Sequence, residues 1–132
     1  MIPRVVIVDD NEDFRLMVRD HLTSSNLGIE IFDAASGEMG VAKASFVKAD
    51  IVLMDISLPQ NNGLKSAQFI KEENPKCQII ILTMFDVELF KKAAKGINID
   101  EFISKGEVYD RLVPTLKRCL KQTEIDYVSS KK

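Results

Sequence analysis

Asp9, Asp10, Asp55, Thr83 and Lys105 are three carboxylates, a hydroxyl and an ammonium, and each ends or follows a short run of mostly apolar residues. The stretch DIVLMDISLP, residues 50–59, poses the problem most clearly: four apolar residues, Ile51 to Met54, stop at the carboxylate of Asp55. A charge left unpaired near a dry interior costs several kcal/mol, by order of magnitude, so Asp55 needs a reason. Two carboxylates about 5 Å apart repel by roughly 3 kcal/mol at an effective dielectric of 20. Three of them must share protons or hold a cation, and oxygen-only donors with room for water suit Mg²⁺. A carboxylate beside Mg²⁺, a hydroxyl donor and a lysine can accept a phosphoryl group, with metal and lysine offsetting its charge. Taken singly, each residue reads as a turn or cap. Only their convergence on one rim carries chemistry.

That convergence requires particular elements. Val5–Val8, Ile51–Met54 and Ile79–Leu82 are continuously apolar, as strands covered by helices on both faces are. Ile29–Phe32 and Glu101–Ser104 mix polar and apolar residues, as edge strands do. Helical spacing joins Phe14, Met17, Val18 and Leu22; Val87, Phe90 and Ala94; and Val108, Leu112, Leu116 and Leu120. Asn11, followed by Glu12 and Asp13, supplies a cap and first-turn acids. The alternation predicts an α/β fold, a flavodoxin-like (βα)5 doubly wound parallel sheet. The apolar strands belong in the centre, and right-handed crossovers give strand order 2-1-3-4-5. In such a sheet ligands bind beyond the carboxyl ends of the strands, near the switch point between strands 1 and 3.

The chain has 132 residues, enough for one domain with a substantial core. Its net charge of −2 and the lack of a basic run argue against direct nucleic-acid binding by this domain. The apolar runs are far too short to span a membrane, and no signal peptide precedes the first strand. Cys77 and Cys119 lack metal spacing and read as two free thiols in a reducing, cytoplasmic setting. His21, at the border of the first helix's apolar face, reads as a packed side chain.

VIVDD, VLMDISLP followed by Gly63, ILTMF and FISKG resemble the receiver domain of bacterial two-component response regulators, over residues 3 to about 121. The resemblance implies that Asp55 is phosphorylated by a sensor histidine kinase. It also implies Mg²⁺ bound directly by Asp10 and Asp55, by the main-chain carbonyl of Ser57, and through water by Asp9. Thr83 is then the hydroxyl that bonds the phosphoryl group, Lys105 its counter-charge, and Phe102 the switch aromatic paired with Thr83. The face built by helix 4, strand 5 and helix 5 is expected to change with phosphorylation. Residues 1–121 form the receiver, and 122–132 a flexible tail or the start of a linker. A homodimer formed on phosphorylation and a carboxy-terminal output domain, with transcription as the output, are the further expectations. The chain is a phosphoacceptor rather than an enzyme, catalysing only its own phosphorylation and dephosphorylation.

Some positions depart from the common pattern. Lys105-Gly106 stands where the family often has Lys-Pro with a cis bond, which is costly for a non-proline residue. Asn98 stands where glycine is usual, and asparagine tolerates the left-handed region. Pro114 falls inside the last helical pattern, so that helix is expected to kink or start late. Ser57 and Phe85 should flank the approach of hydrolytic water to an aspartyl phosphate, with Met84 beside the phosphoryl pocket, and all three should tune its lifetime. The alternatives are a stand-alone receiver acting as a phosphorelay or interaction module and, more distantly, a haloacid-dehalogenase-type phosphatase. The latter wants its nucleophile directly after strand 1, where this chain reads DDNEDF.

Overall fold

A computed structural model describes residues 2–56, 63–84 and 87–130. Strands β1 (Arg4–Val8), β2 (Glu30–Ala34), β3 (Ile51–Asp55), β4 (Gln78–Thr83) and β5 (Glu101–Ser104) alternate with helices α1 (Glu12–Ser24), α2 (Gly37–Val47), α3 (Gly63–Glu73), α4 (Val87–Ala93) and α5 (Val108–Ser130). The sheet is parallel, in the order β2-β1-β3-β4-β5. Burial follows that order. All six residues of β4 are buried, whereas β2 at the edge is mostly half-buried.

Alternate strand residues feed two cores. Val6, Val8, Val52, Met54, Ile79 and Ile81 face α2, α3 and α4, where they meet Val47, Ile70 and Phe90. Val5, Ile7, Ile51, Leu53, Ile80 and Leu82 face α1 and α5, where they meet Val18, Leu22, Leu112 and Leu116. Each fully buried side chain of this size contributes about 1.5–3 kcal/mol, so the double cover, not helix propensity, holds the strands in register. Gly40 lets α2 lie against β1, because a methyl there would come within 2.6 Å of Val8 Cγ2.

The last helix differs from expectation. It begins at Val108, directly after a 3₁₀ turn over Lys105–Glu107, and is continuous through Pro114. Pro114 is exposed, so the hydrogen bond its missing N–H would have made falls on the solvent side. Residues 122–130, where a tail or linker is expected, continue α5. Thr123 is buried, and its hydroxyl accepts from Gln78 Nε2 at 2.9 Å while donating to the Cys119 carbonyl at 3.1 Å. Gln78 also donates to that carbonyl at 2.6 Å, tying the helix to the start of β4.

Other local expectations resolve as follows. The left-handed residue before β5 is Gly96, at φ 94°, and not Asn98; the turn closes two residues earlier than the family pattern suggests. The Lys105–Gly106 peptide is trans. His21 packs edge-on against Tyr109 at 4.9 Å. Both cysteines are free and buried, and burial pushes the Cys77 thiol up to about 12. Among the described residues no helix is long and apolar enough to cross a membrane.

Candidate functional site

Register places the chemistry. Val8 pairs with Ala34 on one side and Met54 on the other, Asp55 with Leu82, and Thr83 with Ser104. Asp9 and Asp10, Asp55, Thr83 and Lys105 therefore emerge at one carboxyl rim. The Asp9 N–H still donates to the Ala34 carbonyl at 3.1 Å, and the Ile56 N–H to the Leu82 carbonyl at 2.9 Å, so the sheet ladder runs to the edge of the site. α1 then starts at once: Asn11 caps it by accepting from the Phe14 N–H at 2.9 Å. The Asn11 N–H itself donates to Asp9 Oδ1 at 2.8 Å, which fixes that carboxylate.

The three carboxylates offer oxygens that all lie within 4.8 Å of one another. Asp9 is buried, Asp55 half-buried and Asp10 exposed. Lys105 Nζ lies 2.9 Å from Asp9 Oδ2 and 2.9 Å from Asp55 Oδ1, and 4.2 Å above the centre of the Phe14 ring. Burial pushes the Asp55 carboxyl above its ordinary value; the Lys105 hydrogen bond opposes this and the nearby Asp9 charge adds to it. Burial pulls Lys105 down, but its bonds to Asp55 and Asp9 more than reverse that, so it is held above its ordinary value and stays charged. Three carboxylates and one ammonium leave two negative charges in one small volume. An oxygen-only donor set with that residual charge fits a single Mg²⁺.

Thr83 is fully buried at the end of β4, and Met84 beside it is 75% exposed. Phe102 is half-buried and packs against the core shared by α2, α3 and α4. The expectations placed on Ser57 and Phe85 lie outside the described residues. One neighbour escaped the sequence reading. Arg15 Nη1 donates to the Asp9 carbonyl at 2.6 Å, and its Nε lies 3.8 Å from Asp33 Oδ2. A lone arginine within an amphipathic helix gives no signal of such a contact. Phe14 was legible only as a core residue, not as the ring beneath Lys105.

Residues 5–117 match the family model described as the response regulator receiver domain. The chain belongs to this family. Among curated relatives, the response regulator protein VraR of Staphylococcus aureus is 30% identical over 107 residues, 80% of this chain and 50% of VraR. The receiver thus spans about half the length of that relative. Among solved structures, the Vibrio cholerae chemotaxis protein CheY4 is 25% identical with a TM-score of 0.78, covering 90% of this chain and 99% of that one. A CheY-like response regulator receiver domain protein from Methanospirillum hungatei, 23% identical, superposes with a TM-score of 0.84 over 96% of this chain and 99% of its own. The receiver is a signalling domain of two-component systems, and its acidic cluster of Asp9, Asp10 and Asp55 is of the kind with which such domains typically bind Mg²⁺.

Proposed function

We propose that this receiver is a phosphorylation-dependent switch whose acceptor is Asp55. One observation carries the reading: Asp55 stands at the end of a buried strand, beside two further carboxylates and 2.9 Å from a charged lysine. A carboxylate oxygen of Asp55 attacks the phosphorus of a phosphohistidine on a sensor kinase. The new O–P bond forms as the P–N bond breaks, and its electron pair returns to the imidazole nitrogen. Asp10, Asp55 and the main-chain carbonyl of Ser57 would hold Mg²⁺ directly, and Asp9 through water; the ion supplies charge neutralisation on the phosphoryl oxygens. Lys105, already bridging Asp9 and Asp55, keeps its hold on the site as negative charge shifts to the phosphoryl group.

An aspartyl phosphate carries up to about two negative charges. Thr83 moves toward it to donate a hydrogen bond, and Phe102 turns into the space released. The loop after β4 together with β5 is then the two-state element, and the α4–β5–α5 face is what an output reads. The output we favour is transcription, supported by Lys105-Gly106, which looks like receivers preceding helix-turn-helix domains. The second reading is a stand-alone receiver acting as a phosphorelay or interaction module. The setting is cytoplasmic, with a sensor histidine kinase as donor and a homodimer formed on phosphorylation.

Incubation with acetyl phosphate and MgCl₂ tests the acceptor. Intact mass should show one phosphoryl adduct on the wild type, none after EDTA and none on Asp55→Asn. An adduct on Asp55→Asn, or one that forms equally well in EDTA, contradicts the reading.

A further inference from the structure

The ammonium of Lys105 has three donors, and carboxylates lie 2.9 Å away on two sides, Asp9 Oδ2 and Asp55 Oδ1. On a further side lies the Phe14 ring, its centre 4.2 Å from Nζ. The face of an aromatic ring carries the negative part of its quadrupole, so at that distance it attracts an ammonium. The side chain of Lys105 is 12% exposed, and the attraction is stronger where water is excluded.

The ring is fixed by the same turn that carries the acids. The Phe14 N–H donates to Asn11 Oδ1 at 2.9 Å, the Asn11 N–H to Asp9 Oδ1 at 2.8 Å, and Arg15 Nη1 to the Asp9 carbonyl at 2.6 Å. Phe14 also packs against the core shared by α1 and α5. Ring and acids are thus tied together, while Lys105 arrives separately, opening the 3₁₀ turn after β5. With Asp55 as the acceptor, phosphorylation turns one of the two carboxylates that hold Lys105 into an acyl phosphate. A third carboxylate in the ring's place would hold the ammonium in one position and repel the phosphoryl group. Water there would let it swing outward. A ring attracts it without a fixed hydrogen-bond direction and without adding charge. Nζ can then pivot from an Asp55 oxygen to a phosphoryl oxygen and stay within reach.

We propose that Phe14 is a positioning residue for phosphoryl transfer: its ring keeps the Lys105 ammonium at the rim while negative charge moves from the Asp55 carboxylate to the phosphoryl group. This rests on the reading of Asp55 as the acceptor. The test replaces Phe14 in the full chain with mono-, di- and trifluorinated phenylalanine. Each fluorine withdraws electron density from the ring face and leaves shape and packing nearly unchanged. The pseudo-first-order rate of phosphorylation by acetyl phosphate and MgCl₂, read by intact mass, should fall stepwise along the series. In Phe14→Leu it should fall by about tenfold, the scale of one such contact shielded from water. A merely structural ring would leave the fluorinated series at the wild-type rate. A second readout needs neither phosphoryl transfer nor metal. The Lys105 Cε protons should lie upfield in the wild type, shifted by the ring, and return to the ordinary lysine position in Phe14→Leu. A fluorinated series at the wild-type rate, or Lys105 protons unmoved in Phe14→Leu, overturns the proposal. If the wild type is phosphorylated, Asp55→Asn is not, and the fluorinated series is flat, only the role of Phe14 is lost. If the wild type takes no phosphoryl group, or Asp55→Asn takes one, the reading of Asp55 falls and this proposal with it.

Discussion

Lys105 lies 2.9 Å from two carboxylates and is the charge that lets them coexist. At an effective dielectric of 20, oxygens no more than 4.8 Å apart repel by roughly 3 kcal/mol or more per pair. Lys105→Ala should therefore lower stability by about 1–3 kcal/mol in chemical denaturation without divalent ions, with most of that recovered by added Mg²⁺. It should also tighten Mg²⁺ binding, because the competing ammonium is gone. Equal stability of variant and wild type in EDTA would contradict this. Met84 gives a second residue-scale test. It is 75% exposed next to buried Thr83, and the proposed reading gives it the role of shielding a phosphoryl group without supporting the core. Met84→Ala should hasten first-order phosphate release from the phosphorylated chain while leaving the melting temperature nearly unchanged. An unaltered decay would remove Met84 from the lifetime-setting residues.

At the scale of elements, the sheet was legible because its signals are local. Apolar runs marked β1, β3 and β4, and the mixed runs of β2 and β5 matched their half-buried edge positions. Asn11 announced α1 by side-chain chemistry alone. What escaped depends on contacts distant in the chain. Gln78 and Thr123 are 45 residues apart, and nothing near Thr123 in sequence says that its hydroxyl will meet a glutamine on β4. Thr123→Val keeps the shape and removes the hydroxyl, and should cost about 1–2 kcal/mol by thermal denaturation. Leu112→Ala, emptying a fully buried position on the same helix, should cost about 2–5 kcal/mol. Glu101 at the start of β5 provides a pH test. Burial raises its carboxyl, but the Phe102 N–H and the guanidinium groups of Arg118 and Arg111 outweigh that, so it lies below its ordinary 4.5. A depressed carboxylate stabilises above its ordinary value and loses that contribution as pH falls through the folded one. Glu101→Gln should thus narrow its deficit relative to wild type as pH drops below about 4.5, read as melting temperature against pH.

At the scale of the molecule, the site is a property of the sheet. Four strands deliver five side chains to one rim, and the rim was readable because each residue ends a readable strand. The ring beside it was not, since Phe14 meets Lys105 only once α1 is packed on the sheet. On the proposed switch, carried by the loop after β4 together with β5, a beryllofluoride complex of the wild type should shift backbone amides mainly over residues 83–105. Changes restricted to residues 9–15 and 55–60 would count against transmission to the α4–β5–α5 face. The central claim is that Asp55 carries the phosphoryl group, and chemical trapping reads it directly. An acyl phosphate is reduced by borohydride to the alcohol, which turns aspartate into homoserine. After acetyl phosphate, Mg²⁺ and borohydride, peptide mass mapping should find homoserine at position 55 and aspartate retained at positions 9 and 10. Homoserine at either of those positions, or at none, would contradict the account.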